Sequence, residues 1–109
     1  MTIAESLMSL NPYPIPNSTV EKICTDRGLD KDTTYTKTIG ESQDYELATA
    51  DIYLFLFDSP NLIEQAVGIT QLAEVKKQLL KRANQIYSKY EDSKFRGKKF
   101  GFIGENYNG

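Results

Sequence analysis

Apolar positions at helical spacing divide the chain into stretches separated by proline, glycine and polar interruptions. Ile3, Leu7 and Leu10 share one helical face. Thr2 stands where an N-cap belongs, and Glu5 at the third helical position completes a capping box. Pro12, Pro14 and Pro16 follow at alternate positions, so this helix must end near Asn11. Residues 11–17 read as a stiff connector close to polyproline II, with Tyr13 and Ile15 projecting from it. Those two side chains either dock on a neighbouring surface or belong to an ordinary linker. Ser18-Thr19-Val20-Glu21 has the form of a second capping box. It predicts a helix with Val20, Ile23 and Cys24 on one face and a stop at Gly28. Residues 29–42 lack helical period; they read as a capped helix start at Asp30 or Asp32, or as a mobile loop.

A third helix is predicted from about Ser42 to Phe57. Tyr45, Ala48, Ile52, Phe55 and Leu56 share a face, and Leu47, Leu54 and Phe57 widen the apolar surface towards the C-terminal half. A helix apolar around most of its circumference is central, or faces both a core and a second subunit. Asp44, Glu46 and Asp51 read as its polar positions. After Asp58-Ser59-Pro60-Asn61, the stretch from Leu62 to Ile69 is a helical turn or a short strand. Thr70 then caps the clearest element, in which Leu72, Val75, Leu79, Ala83, Ile86 and Tyr90 recur at intervals of 3, 4, 4, 3 and 4. Leu80 and Tyr87 flank this stripe, and Lys76, Lys77, Lys81, Arg82 and Lys89 lie mostly off it. The expectation is an all-α domain over residues 1–92, a small bundle of about four helices, followed by an extended C-terminal arm at residues 93–109.

That arm alternates aromatics, cations and glycines, too glycine-rich for a helix and too aromatic for an ordinary disordered end. Its candidate partner-binding residues are Phe95, Arg96, Lys98, Lys99, Phe100, Phe102 and Ile103. Leaving Phe100, Phe102 and Ile103 in water forgoes roughly 1.5–3 kcal/mol each. The parent domain, a neighbouring copy or a partner must therefore cover them. An extended segment of this kind can add to a sheet edge or seat its aromatics in pockets. Candidates for a subunit interface are Tyr53, Leu54, Phe57, Leu80 and Tyr87, the apolar positions beyond a single core-facing stripe.

With 109 residues the chain forms one domain. It has no histidine and a single cysteine, Cys24, which reads as a small buried hydrophobe. General acid–base catalysis near neutral pH usually recruits histidine, and soft-metal sites need clusters of histidine and cysteine. No phosphate-cradling glycine loop or calcium loop is present either, so the expectation is not an enzyme and no cofactor or metal. No run approaches the ~20 apolar residues of a membrane span. The N-terminus lacks the pattern of a secretory signal, so synthesis and residence in a reducing cytoplasm are expected. Charge is uneven. Residues 1–73 carry four basic and eleven acidic side chains, and residues 74–109 carry nine basic and four acidic. This asymmetry suits head-to-tail contact between subunits or an acidic partner for the basic part. A small nucleic-acid-binding regulator is the alternative, since cations interleaved with aromatics also grip single strands. The acidic first two-thirds oppose it.

Three motifs carry a resemblance: Tyr45-Glu46-Leu47-Ala48-Thr49-Ala50-Asp51-Ile52-Tyr53, the break Ser59-Pro60-Asn61, and the helix end Ala83-Asn84-Gln85-Ile86-Tyr87-Ser88-Lys89-Tyr90. Over about half of the chain these resemble the head–tail connector proteins of tailed phages and prophages, also called adaptor or head-completion proteins. The resemblance implies a helical bundle that assembles as a homo-oligomeric ring, commonly dodecameric, beneath the portal at one capsid vertex. It implies portal protein and a tail or stopper protein as partners, DNA passing through the channel without sequence-specific contact, and no membrane. The C-terminal segment would reach onto the portal. The chain would be made in the bacterial host cytoplasm and reside in the virion neck. The proline connector at 12–16 and the threonine-rich segment at 29–42 have no counterpart in that pattern.

Overall fold

A computed structural model describes residues 1–97, and all structural statements below concern those residues. They form six helices and no strand: α1 (Ile3–Met8), α2 (Asn17–Asp26), α3 (Lys37–Gly40), α4 (Gln43–Phe57), α5 (Pro60–Val67) and α6 (Ile69–Lys89). The all-α expectation holds, with two short helices, α3 and α5, beyond the four read from periodicity. Lys98, Lys99, Phe100, Phe102 and Ile103 lie outside the described residues.

Local sequence explains most of the boundaries. Thr2 Oγ1 accepts from the Glu5 backbone N–H at 3.1 Å, and Glu5 Oε1 accepts from Thr2 N–H at 2.7 Å. This is the reciprocal box expected, and such a cap stabilises a helix by about 1 kcal/mol. The second box does not form. Pro16 takes the N-cap place, and its carbonyl accepts from Thr19 and Val20. Ser18 is therefore already inside the first turn. Likewise α6 starts at Ile69, not after Thr70, because Gly68 reaches φ +82°, which lets the chain turn from α5 directly into α6.

The segment that lacked a pattern has a job. Carbonyls of Thr33 and Lys31 accept from the first-turn N–H groups of Ile3 and Ala4, at 2.8 and 3.1 Å, so residues 30–35 satisfy the open end of α1. Tyr35 then lies on Tyr45, with ring centroids 5.3 Å apart. A side chain at Gly40 would meet the Tyr35 hydroxyl at 2.1 Å, so only glycine permits this packing. Ser42 caps α4 through Tyr45 N–H.

The centre is α4, packed lengthwise and antiparallel on α6, with α1 and α2 against its other side and α5 against its end. One core joins Leu7, Val20, Cys24, Ile52, Leu56 and Ile63, all buried, and it takes in Ile15 and Tyr13 of the connector. The connector thus docks on its own body. A second core, between α4 and α6, holds Leu47, Ala50, Leu54, Ala83 and Tyr87. Ala50 and Ala83 are fully buried, and such small side chains let the two helices approach closely.

Candidate functional site at the root of the C-terminal arm

The most concentrated chemistry sits where α2 and α6 end beside the middle of α4. After α6 the chain reverses in a Schellman turn. Glu91 adopts φ +53°, its N–H donates to Ser88 O, and Asp92 N–H donates to Tyr87 O at 2.8 Å. A non-glycine residue in this region costs about 1–2 kcal/mol, so the surrounding contacts must hold it. The turn sets Asp92 beside Arg27, the C-cap of α2.

Arg27 is the hub. Its Nε and Nη2 donate to the two oxygens of Asp51 at 2.7 and 2.9 Å, a side-on fork, and its Nη1 donates to Asp92 at 2.9 Å. Tyr87 Oη donates to Asp51 Oδ1 at 2.6 Å, and Lys94 Nζ lies 3.4 Å from the same oxygen. The Asp51 side chain is only 2% exposed. Two cations thus meet two carboxylates, and the cluster is neutral. Burial, followed by the nearby Asp51 carboxylate, pushes the Tyr87 phenol up. The hydrogen bond from Arg27 holds the Asp92 carboxyl below the ordinary aspartate range. Hydrogen bonding to Asp51 in turn raises Arg27. Every charged group here is engaged by another, so the cluster works as an ionic lock joining α2, α4 and the chain after α6.

Beyond the lock the arm's root stays on the body. Asn84 of α6 accepts from Arg96 N–H through Oδ1 at 3.0 Å and donates through Nδ2 to Arg96 O, gripping one residue's backbone from both sides. The Arg96 guanidinium forks onto Asp58 at 2.7 and 2.8 Å. Phe95 packs against the second core. Contacts pass from Tyr87 to Asn84 as the chain passes from Asp92 to Arg96, so the root runs back along α6. At the other end of α4, Lys89 Nζ and the Tyr90 hydroxyl both donate to Glu46 Oε1.

These placements revise several expectations. Asp51 is no surface position; it is buried, and it is the acceptor on which the lock is built. Tyr87 and Leu54, two of the interface candidates, are 0% and 9% exposed in the single chain. The second core uses both, because the close approach of α4 to α6 closes over them. Tyr53, Phe57 and Leu80 keep part of their surface. Phe95 and Arg96, two of the candidate partner-binding residues, hold the root to the body. Three ion pairs, Lys94–Asp51, Lys89–Glu46 and Arg96–Asp58, join acids of the first part to bases of the last, so part of the charge asymmetry is resolved inside the chain. The last of these pairs engages Arg96, a cation that a nucleic-acid grip would use. Sequence reasoning missed Arg27, Asn84 and Asp58. The one signal was Asp51 itself, an acid interrupting the most apolar run of the chain.

Among the described residues no cluster of histidine, cysteine and acids is arranged to hold a metal, and no helix is long and apolar enough to cross a membrane. The chain belongs to a family of unknown function, DUF6706, whose model matches residues 1–97. No curated protein and no solved structure matches it significantly.

Proposed function

We propose that this family member is a structural virion protein, a head–tail connector subunit that forms a ring between portal and tail around the DNA channel and engages the portal with its C-terminal arm. The observation that carries the reading is the docking of the arm's root. A tether to a large assembly must leave its body at a defined place. The Schellman turn, the Arg27–Asp92 pair, the Asn84 grip on Arg96 and the Arg96–Asp58 fork define such an exit. The ionic lock supports a structural role as well, since its charges are saturated by one another rather than directed at a substrate. Partly exposed Tyr53, Phe57 and Leu80 on the α4–α6 pair are suited to a neighbouring subunit. The resemblance of the α4 and α6 motifs to connector proteins supplies the biological setting.

Light scattering over a wide concentration range tests this reading on the full chain and on a chain stopped after Gly97. A stop at Gly97 retains Phe95 and Arg96 on the body, whereas a stop at Asp92 would open the second core. The expected result is a large closed oligomer, alone or on a portal ring from the same genome, weakened or lost without residues 98–109. A full chain that remains monomeric both alone and with that portal would sink the proposal.

A further inference from the structure

The proline connector and α6 enclose a groove of about 300 Å³. Tyr13, Tyr53, Val75 and Leu79 form its apolar lining, and Asn11 and Arg82 stand at its polar side. Three observations indicate what it accepts. Leu10, at its edge, is a large apolar side chain left 38% exposed. Asn11 Oδ1 accepts from Tyr13 N–H at 3.1 Å, which orients the amide. Its Nδ2 is the one buried side-chain nitrogen or oxygen among the described residues without a hydrogen-bond partner. Arg82 makes no ion pair among the described residues, whereas Glu74 on the same rim already accepts from Gln78 at 3.0 Å. The groove therefore complements an apolar segment that carries a carboxylate. It follows α6 from Glu74 to Arg82, about 12 Å at the rise of a helix. That length suits three or four extended residues.

The chain contains one such segment beyond the described residues, Phe102-Ile103-Gly104-Glu105. We propose that the groove of one subunit receives these residues of a second copy, with Phe102 and Ile103 over Tyr53 and Leu79 and Glu105 facing Arg82 and Asn11. The inference rests on the self-assembly proposed above and names one of its contacts, with residues 98–101 of the arm left to engage the portal. Asn84, which grips the root, and Arg82, which rims the groove, lie about 200° apart around α6. Root and groove therefore occupy opposite flanks, as a head-to-tail contact requires, in which one subunit's arm fills the next subunit's groove. Nδ2 of Asn11 is shielded in the free subunit, so the incoming segment displaces the exposed Leu10 and Pro12 edge to reach it.

The test is an amide chemical-shift titration of the labelled full chain with a synthetic peptide of residues 98–109. Shifts should concentrate on the Asn11 side chain, Tyr53, Val75, Gln78 and Arg82. Arg82→Glu should weaken binding about tenfold, or 1.4 kcal/mol. A peptide carrying Glu105→Arg should lose as much on the unaltered chain and recover most of it on Arg82→Glu. No shift at these residues in millimolar excess of peptide overturns the proposal, as does a charge swap that fails to recover binding. If Phe102→Ser moves the groove resonances of a monomeric full chain with no peptide added, the arm folds onto its own body, and the second copy is overturned as occupant. Closed oligomers that form equally well with Arg82→Glu would leave self-assembly standing and remove this groove from it. Peptide binding by a chain that never self-associates would uphold the groove and remove the ring.

Discussion

Two arginine–aspartate forks lie where residues 92–96 meet the body, and their chemistry is nearly the same. Arg27 meets Asp51 at 2.7 Å, and Arg96 meets Asp58 at 2.7 Å. Their surroundings differ. The first pair has side chains 14% and 2% exposed; the second has 46% and 47%. In water, screening and the entropy of ordering two long side chains leave an exposed pair worth about 0–1 kcal/mol. Inside, desolvation offsets most of the attraction, so the pair adds little net stability, yet removing one partner strands a charge. The buried fork therefore specifies where the chain after α6 must go, while the exposed one trims the exit. Geometry alone would not rank them; burial does.

The largest effect should come from breaking the buried fork. Arg27→Ala should lower unfolding stability by about 3–5 kcal/mol, read from the urea midpoint. Pairing Arg27→Met with Asp51→Leu should recover only part of that loss: neither member of the fork is then stranded, but the Tyr87 hydroxyl and Asp92 lose their partners. A single substitution that costs under 1 kcal/mol would erase the contrast between the forks. Next in size, Tyr87→Phe removes one donor to Asp51 and should cost about 1–2 kcal/mol, with the helix content retained.

Acid acts on the Arg27 cluster and on the Glu46 end of α4. Asp92 has its pKa depressed by Arg27, and Glu46 has its pKa depressed by the Tyr90 hydroxyl and then Lys89. Each therefore contributes stability that is complete above its ordinary value, 3.8 for Asp92 and 4.5 for Glu46. That contribution is lost as pH falls through the lowered value. Stability followed by denaturant titration should be flat in this respect above about pH 5 and decline below it. Arg27→Met with Asp51→Leu should alter the decline, because the partner of Asp92 is gone. The smallest effect belongs to Arg96→Ala: under about 1 kcal/mol, and smaller still in high salt.

How much of this was legible beforehand depended on whether a contact is local. The Thr2–Glu5 box, the Ser42 start of α4 and the long stripe of α6 are set within three or four residues of themselves, and sequence spacing displays them. The loop that caps α1 finds its partner 30 residues away, Thr33 O with Ile3 N–H, and α3, although capped locally by Thr36, is four residues long and too short to show a period, so residues 29–42 carry no visible pattern. On α6, periodicity placed Tyr90 on the stripe and Tyr87 beside it. The structure buries Tyr87 fully and Tyr90 only in part, so the buried line runs through Leu79, Ala83 and Tyr87 rather than on to Ile86 and Tyr90. Asp51 escapes a reading by periodicity because its partners are distant in sequence. A polar letter on a helix is a surface position unless something elsewhere answers it, and Arg27 and Tyr87 lie 24 and 36 residues away. The root of the arm was least legible, since an asparagine side chain pairing with another residue's backbone leaves no mark in composition or period.

Residues 92–96 belong to the folded body, held there through Arg27, Asn84 and Asp58. Amide hydrogen exchange at Arg96 tests this docking most directly. In the intact chain this N–H, held by Asn84 Oδ1, should exchange far more slowly than an unstructured amide, and Asn84→Ala should abolish the protection while that of the α4 amides persists. Exchange at the unstructured rate in the unaltered chain would mean that the root is not docked, and the fixed exit would go with it.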